Sequence, residues 1–492
     1  MAGRGFAARR DIPDPIGFAD LAHDTDRTFA VVQSRLADGS AFGDSAVFPL
    51  PKGTGTAWRP MTVLNPFDDL ALRGIVGRCT GAVKKSTDRV GVFNGLINHT
   101  GPGWTTVNFS DQYKARMASR RDLYDRLETG AVGVFDAAEF FLNCGHDTTE
   151  ALLVASGAPV GAARVLTKML GRVFPGGMGL PMGFEGSGPM ANLFFGEVDR
   201  ELTRRGIPFV RWTDDLDTFL RRISDWPETL EAVESRLLAV GIPLNMDKTG
   251  GFEKGDAAEH RLFDPSRDSV FCEDDPVAAA EGKFEVDMMM EGFFGFTENP
   301  PAPAFRNRLR GLRRKPSAGA LEFIYAHPEW LDREPRAVGD YLKLLATNTK
   351  THAEIDLDWL MDRAVGRKPT RQTAAGQLHA LRAIAAYKVD KVEAKALKTF
   401  AEDQAMGGEY MVLGAWAVRA WSESRGWKAK PAAALIRDVD DAGYRRAATM
   451  GFAGMQRDHA EKHLDPIRHD HPEVGPVASL VLSGVPSGSH LP

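Results

Sequence analysis

The stretch FVRWTDDLDTFL, residues 209–220, sets Asp214, Asp215 and Asp217 between two apolar runs of β character. Like charges this close repel one another unless solvent or a cation relieves them. Taken alone, the turn is open to both readings, a solvated acidic loop or one half of a metal site. A partner stands upstream in AVGVFDAAEFFLN, residues 131–143, where an apolar strand-like run ends in Asp136 and is followed by Phe140 and Phe141. If the two strands are neighbours, Asp136 and Asp214 lie side by side and suit two Mg2+ ions about 3.5–4 Å apart, the arrangement that serves in-line phosphoryl transfer.

Between the acids runs GMGLPMGFEGSGPMANLFFGEVDREL, residues 177–202. Its glycines let backbone approach a ligand closely, Pro181 shapes its start, and PMANLFFGEVDREL reads as one amphipathic helix. Downstream, GIPLNMDKTGGF ends an apolar run in Lys248, a compact cation suited to a phosphate. Upstream, PLPKGTGTAWRPMTVLNPFDDLALRGIV, residues 49–76, carries Lys52 and Arg59 on a Gly-rich hairpin and reads as helix from Asp68 or Asp69. Chain order is therefore cations, an acid, a glycine loop, paired acids and another cation.

The elements that must position these groups alternate from about residue 45 to 255: short apolar β-like runs, Gly/Pro turns and amphipathic stretches, a mixed α/β texture. Beyond about residue 318 the texture is helical. VGDYLKLLATN, AAGQLHALRAIAAYKV, EAKALKTFAED and YMVLGAWAVRAWSES space their apolar residues three or four apart. An irregular helical array and a compact bundle both fit this pattern. TENPPAPAF, residues 297–305, reads as a Pro-rich hinge leading into the basic run RNRLRGLRRK, residues 306–315.

With 492 residues, 43% hydrophobic and 26% charged, the chain has the composition of a globular protein of several domains. No run of 18 apolar residues occurs, and MAGRGFAARRDIPDP lacks the apolar core of a signal peptide, so the expectation is a cytoplasmic protein without a membrane span. Cys79, Cys144 and Cys272 are far apart and in no CxxC pair, which excludes a disulfide framework and a cysteine zinc site. Net charge is −5, so a nucleic-acid partner must be held by local patches. Near the C-terminus, His459, His463, His469 and His471 lack a Glu or Cys to complete a zinc signature and read as solvated or capping residues.

These residues carry a family resemblance. GLPMGFEGSGPMAN resembles the GLPQGSPLSPLLAN block of prokaryotic reverse transcriptases, with Gly179, Leu180, Pro181, Gly183, Ser187, Ala191 and Asn192 at matching positions. RWTDD resembles the YxDD block, with Trp212 where the family has Tyr or Phe. FDAAEFF, PLNMDKT and RPMTVLNPFDD resemble the blocks of the first catalytic Asp, the later LN..KT and the fingers RPLGIPTIRD. The order and spacing of the five blocks, across roughly residues 45–255, carry the likeness.

The resemblance implies an α+β fold: a right-hand polymerase core of fingers, palm and thumb with an antiparallel palm sheet, followed by an all-α, helical-repeat-like C-terminal domain. Residues 1–130 would form the N-terminal segment and fingers, 131–255 the palm, 256–320 a connector and thumb-like basic region, and 321–492 the helical domain. Asp136 and Asp214 would be the catalytic, Mg2+-binding pair, with Asp215 a supporting third ligand; Mn2+ could substitute. Lys52 and Arg59 would grip the triphosphate, Phe141 would crowd the sugar 2′-position, Gly183 would support the nucleotide or templating base, and Lys248 would face the leaving pyrophosphate. Arg306, Arg308, Arg310, Arg313, Arg314 and Lys315 would contact nucleic-acid phosphates. Asp217 has no counterpart and reads as a solvated acid, while Phe184 and Glu185 depart from the family's SP.

A polymerase core followed by a long helical domain resembles the abortive-infection and defence-associated reverse transcriptases. That implies an RNA-directed or template-independent DNA polymerase taking dNTPs, an RNA template that is a noncoding RNA, a DNA product and a homo-oligomer in antiphage defence. The alternatives are a retron-like or mobile-element reverse transcriptase, and a nucleic-acid-binding oligomer whose helical domain is the effector.

Overall fold

The computed structural model describes residue 14, residue 16 and residues 19–38, 46–52, 57–87, 89–100, 103–263, 357–385, 389–406 and 410–484. Cys272, the hinge at 297–305, the basic run at 306–315 and the stretch at 338–348 lie outside them. The chain divides into two compact units, one of Met1–Gly39, Asp44–Phe67 and Cys272–Pro492, the other of Ser40–Gly43 and Asp68–Phe271.

Helices α1 (Ala19–His23) and α2 (Thr25–Asp38) precede a hairpin of β1 (Ala46–Lys52) and β2 (Ala57–Val63). Helix α3 (Pro66–Thr87) starts where Asn65 Oδ1 accepts the Phe67 amide at 3.0 Å and Pro66 takes a position that needs no donor. This cap moves the helix start ahead of the Asp68 or Asp69 expected from sequence. Both acids instead fall in the first turn, where the helix dipole favours them.

The second unit continues through β3 (Val92–Phe93), a hairpin of β4 (Ile97–Thr100) and β5 (Gly103–Thr106), α4 (Phe109–Asp125), β6 (Ala131–Phe135), α5 (Phe140–Asn143), α6 (His146–Ala155) and α7 (Val160–Val173). It ends with α8 (Ser187–Phe194), α9 (Gly196–Arg204), β7 (Phe209–Trp212), β8 (Asp215–Leu220), α10 (Trp226–Leu238), β9 (Gly250–Glu253) and α11 (Asp256–Phe263). The single helix expected over PMANLFFGEVDREL is two, α8 and α9, separated at Phe195.

The sheet order is β3-β7-β8-β6-β9. Strands β7, β8, β6 and β9 pair antiparallel, but β3 joins β7 in parallel, so the expected antiparallel sheet is mixed. The chain reaches β3 without a tight hairpin to β7, and a non-hairpin connection permits a parallel edge. One face packs Val132, Val210 and Phe219 against Leu123 and Tyr124 of α4 and Ala258 and Leu262 of α11. On the other face, Gly133 and Gly251 are register partners, and the Trp226 ring lies over both. A Cβ at Gly251 would stand 2.6 Å from Trp226 Cγ, closer than any real contact. Gly251→Ala is therefore expected to destabilise the protein by about 1–3 kcal/mol, the usual cost of overpacking, read from the urea midpoint.

The helical part of the first unit comprises α12 (Leu357–Val365), α13 (Ala374–Ile384), α14 (Lys391–Ala405), α15 (Met411–Ser422), α16 (Ala429–Asp438), α17 (Ala442–Met450), α18 (Arg457–Asp470) and α19 (Gly475–Leu482). Every residue of α15 from Leu413 to Ser422 is buried, and the helix packs on α13, α14 and α17, the position of an inner bundle helix. Buried Arg446 on α17 bonds both oxygens of Asp20, at 2.8 and 2.6 Å, and Asp14 at 2.8 Å, fastening the N-terminal segment to these helices. Among the described residues no helix is long and apolar enough to cross a membrane.

Candidate active site

The strand registers bring the sequence-predicted acids together. Phe135 at the end of β6 faces Leu216, and Trp212 faces Asp215 across the β7–β8 turn. One step beyond Phe135, Asp136 is thus level with Asp215, beside the turn that carries Asp214. The segment leading to β9 flanks the same edge: Asn245 donates its amide to Asp136 O at 2.7 Å, and Ala138 donates to Pro243 O at 2.9 Å. This brings Lys248 Nζ to 3.3 and 3.2 Å from the two Asp136 carboxylate oxygens.

Asp215 keeps 53% of its side chain exposed and has Arg116 Nη2 of α4 at 3.9 Å. Crowding by protein atoms raises its pKa, Asp217 and Asp136 add to the rise, and Arg116 and Arg120 oppose it; exposure to solvent screens all of these effects. The Asp214 charge is felt at the buried Cys144 thiol, which burial and that charge together push well above its ordinary range. Cys79 is also buried and free.

Asp217 is not a solvated acid. Its side chain is 2% exposed and its Oδ2 accepts from Arg120 Nε at 2.7 Å, with Arg116 Nη2 at 3.6 Å. Two residues on from Asp215, on the same face of β8 but further from the turn, it lies under α4, where two arginines supply the compensating charge.

Glu139 adopts a left-handed conformation (φ 41°) and turns the chain after Asp136 into α5. The paired phenylalanines then divide their work. Phe140 is buried, 6.3 Å from the Phe194 ring and 5.4 Å from the Phe195 ring, whereas Phe141 is half-buried. Leu180 donates to Phe141 O at 2.7 Å and Gly179 to Cys144 O at 2.8 Å, so the glycine segment is strapped along α5. His146 closes the strap, donating its amide to Gly177 O at 2.9 Å and placing Nε2 3.0 Å from Gly179 O. Gly183 is exposed at φ 87°, a conformation suited to glycine and open to a ligand.

The two departures from the family block have structural partners. Phe184 is buried with the Arg73 guanidinium 5.5 Å from its ring centre, and Glu185 accepts from Arg73 at 2.8 Å and from the Thr106 amide and hydroxyl at 3.0 and 2.8 Å. They tie the glycine loop to α3 and β5. Burial raises the Glu185 pKa, but Arg73 and Thr106 more than offset it and hold the carboxyl below its ordinary 4.5. Such a group stabilises the fold above the unfolded-state pKa, and the stabilisation is lost as pH falls through the folded-state value. Glu185→Gln is expected to cost about 2 kcal/mol at pH 7, with the difference from wild type shrinking in urea titrations below about pH 4.

A buried network that sequence reading did not find holds the acidic turn. Arg211 on β7 and Asp199 on α9 are both fully buried and paired in bidentate fashion, at 2.9 and 2.7 Å. The sequence signal was an arginine inside the otherwise apolar run PFVRW. Trp212, where the family has Tyr or Phe, packs edge-on to Tyr113 with ring centres 5.7 Å apart, and the Arg116 guanidinium lies 5.5 Å from its centroid.

Arg59 is exposed on β2, opposite Leu50, in the unit that does not contain the acids. Lys52 ends β1 in that same unit. Arg306, Arg308, Arg310, Arg313, Arg314 and Lys315 lie outside the described residues. Of the C-terminal histidines, His459 and His469 are exposed, His463 packs 5.5 Å from the Phe452 ring, and His471 lies 3.9 Å from Glu473.

Among the described residues no group of three or more His, Cys, Asp or Glu side chains is gathered to hold a metal ion. At the acidic edge, Lys248 and Arg116 stand beside Asp136 and Asp215. The donor chemistry nevertheless fits Mg2+: hard carboxylate oxygens, level on adjacent strands, with a raised pKa at Asp215 that a cation would relieve.

No family model matches the chain, and no curated protein sequence does. Among solved structures it is similar to telomerase from Candida tropicalis in complex with the TWJ fragment of telomeric RNA, at 11% identity and a TM-score of 0.33, covering 79% of this chain and 67% of that one. It is also similar to apo telomerase from the same organism, at 10% identity and a TM-score of 0.30, covering 80% and 74% of the two chains.

Proposed function

We propose that the chain is a metal-dependent nucleotidyltransferase, a reverse transcriptase that extends DNA from dNTPs on an RNA template or without one. The observation that carries this reading is the register that sets Asp136 level with Asp215 beside the Asp214 turn, with Lys248 on Asp136 and half-buried Phe141 on the following turn. Asp136 and Asp214, supported by Asp215, would hold Mg2+. When bound, the ions supply charge neutralisation at the reacting phosphate and lower the pKa of the attacking hydroxyl.

The chain's own residues orient the substrate. Lys248 is 43% exposed, so its pair with Asp136 is worth at most about 1 kcal/mol and can give way when a phosphate arrives. Half-buried Phe141 would crowd a 2′-hydroxyl, favouring dNTPs over rNTPs. Gly183 offers backbone without a side chain where a nucleotide would lie. Arg59 and Lys52 would bind the triphosphate.

The likeness to defence-associated reverse transcriptases extends the proposal to antiphage defence, with a noncoding RNA as template, a homo-oligomeric state and a cytoplasmic location. The test is incubation of the purified protein with Mg2+ and each labelled dNTP, with and without an RNA template and primer. Product that requires the template supports an RNA-directed polymerase; product without it, after nuclease treatment of the protein, supports untemplated synthesis. Absence of product in every condition, with Mn2+ also tried, sinks the polymerase reading and favours a nucleic-acid-binding role.

A further inference from the structure

Thr213, immediately before Asp214, has φ 54°. A β-branched residue rarely adopts this left-handed conformation, because Cβ crowds the backbone, so something must hold it there. Two side chains do. Arg211 Nη1 donates to Thr213 O at 2.8 Å, and Asn94 Nδ2 donates to Thr213 Oγ1 at 2.8 Å.

The two are joined to each other through Asn192. Its Oδ1 accepts from Arg211 Nη1 at 2.7 Å, and its Nδ2 donates to Asn94 O at 2.9 Å. Arg211, Asn192, Asn94 and Thr213 thereby close a ring of hydrogen bonds. Asp199 anchors the ring at Arg211, and Gln112 anchors it by accepting the Asn94 amide at 2.7 Å. Asn192, Arg211 and Thr213 are buried, so a donor or acceptor released from the ring meets no solvent.

We infer that Asn94 and Arg211 are positioning residues: through this ring they hold Thr213 left-handed and so fix where the chain delivers Asp214. The consequence for catalysis rests on the polymerase reading above; the conformational role can be read without it.

The test opens the ring at its mildest point. Asn94 itself has φ 67°, so Asn94→Gly removes the side chain without strain, and Thr213→Val removes the hydroxyl at constant shape. Native-state hydrogen exchange on the full chain is expected to quicken about five- to ten-fold in the peptide spanning residues 209–220 for either variant, since both lose the Asn94–Thr213 side-chain bond, Asn94→Gly losing also the bond its Oδ1 accepts from the Gly95 amide. Exchange in the α13 and α15 peptides stays unchanged. In the incorporation assay the same variants lower kcat about ten-fold with KM for dNTP within about two-fold, and the double variant is no worse than either single one.

Unchanged exchange at residues 209–220 in both variants overturns the inference, as does unchanged kcat in an enzyme whose turn exchanges faster. If wild type incorporates nothing, the polymerase reading falls and the exchange result still decides the role of the ring.

Discussion

Asp214→Ala is expected to reduce nucleotide incorporation by about a thousand-fold or more, and Asp136→Ala to do the same. Each removes a carboxylate from the edge where charge must be neutralised, and several kcal/mol of transition-state stabilisation go with it. Asp215→Asn should cost far less, about ten- to a hundred-fold, because that side chain is half exposed and shared with Arg116. Stability should not follow activity. Removing one acid relieves repulsion among the others, and the Asp136–Lys248 pair is an exposed one, so urea unfolding should change by less than about 1 kcal/mol in each variant. Single-turnover incorporation, far-UV circular dichroism and phage plaque counts in a host carrying each variant make the comparison. Wild-type incorporation by Asp214→Ala would sink the assignment, and protection that survived loss of synthesis would sink the link to defence.

The second large effect is on folding. Arg211→Ala leaves Asp199 as an unpaired charge in a site with no exposure, and takes donors from Asn192 Oδ1 and Thr213 O as well. Breaking one side of a buried pair costs about 3–5 kcal/mol, a large part of the ~5–15 kcal/mol that holds a domain folded. Replacing both partners with apolar residues, as in Arg211→Met with Asp199→Leu, should recover part of that loss, since no charge is then left buried. Urea unfolding of the two single variants and the double variant provides the cycle. A cost below about 1 kcal/mol for Arg211→Ala would show that the pair does not bear on stability as its burial requires.

The acids and their strands were legible because each ends an apolar run of alternating or buried type, and a carboxylate closing such a run is conspicuous. Lys248 and the glycine block were legible for the same reason, as local patterns. Asp217 was misread because its partners, Arg116 and Arg120, lie about a hundred residues away on α4, and nothing local announces an ion pair of that span. The Arg211–Asn192–Asn94–Thr213 ring escaped reading for a related cause: its members sit on different elements and meet only in the folded chain. The start of helix α3 was legible in the Asn65–Pro66 pair, a cap followed by a residue that needs no donor, rather than in Asp68 and Asp69, which any first turn favours. The parallel edge at β3 could not be foreseen from two residues.

Asp136 follows directly on β6, a strand paired on both sides, by β8 and by β9, while Asp214 and Asp215 belong to the turn and start of its neighbour. Adjacent strands stand about 4.7–4.9 Å apart whatever their side chains. The separation of the acids at the backbone is therefore a ruler ruled by peptide hydrogen bonds, inherited by any sequence that forms this sheet. Such a chain need only keep its carboxylates at their places along the ruler, and the side chains of the surrounding segments do not enter into that spacing.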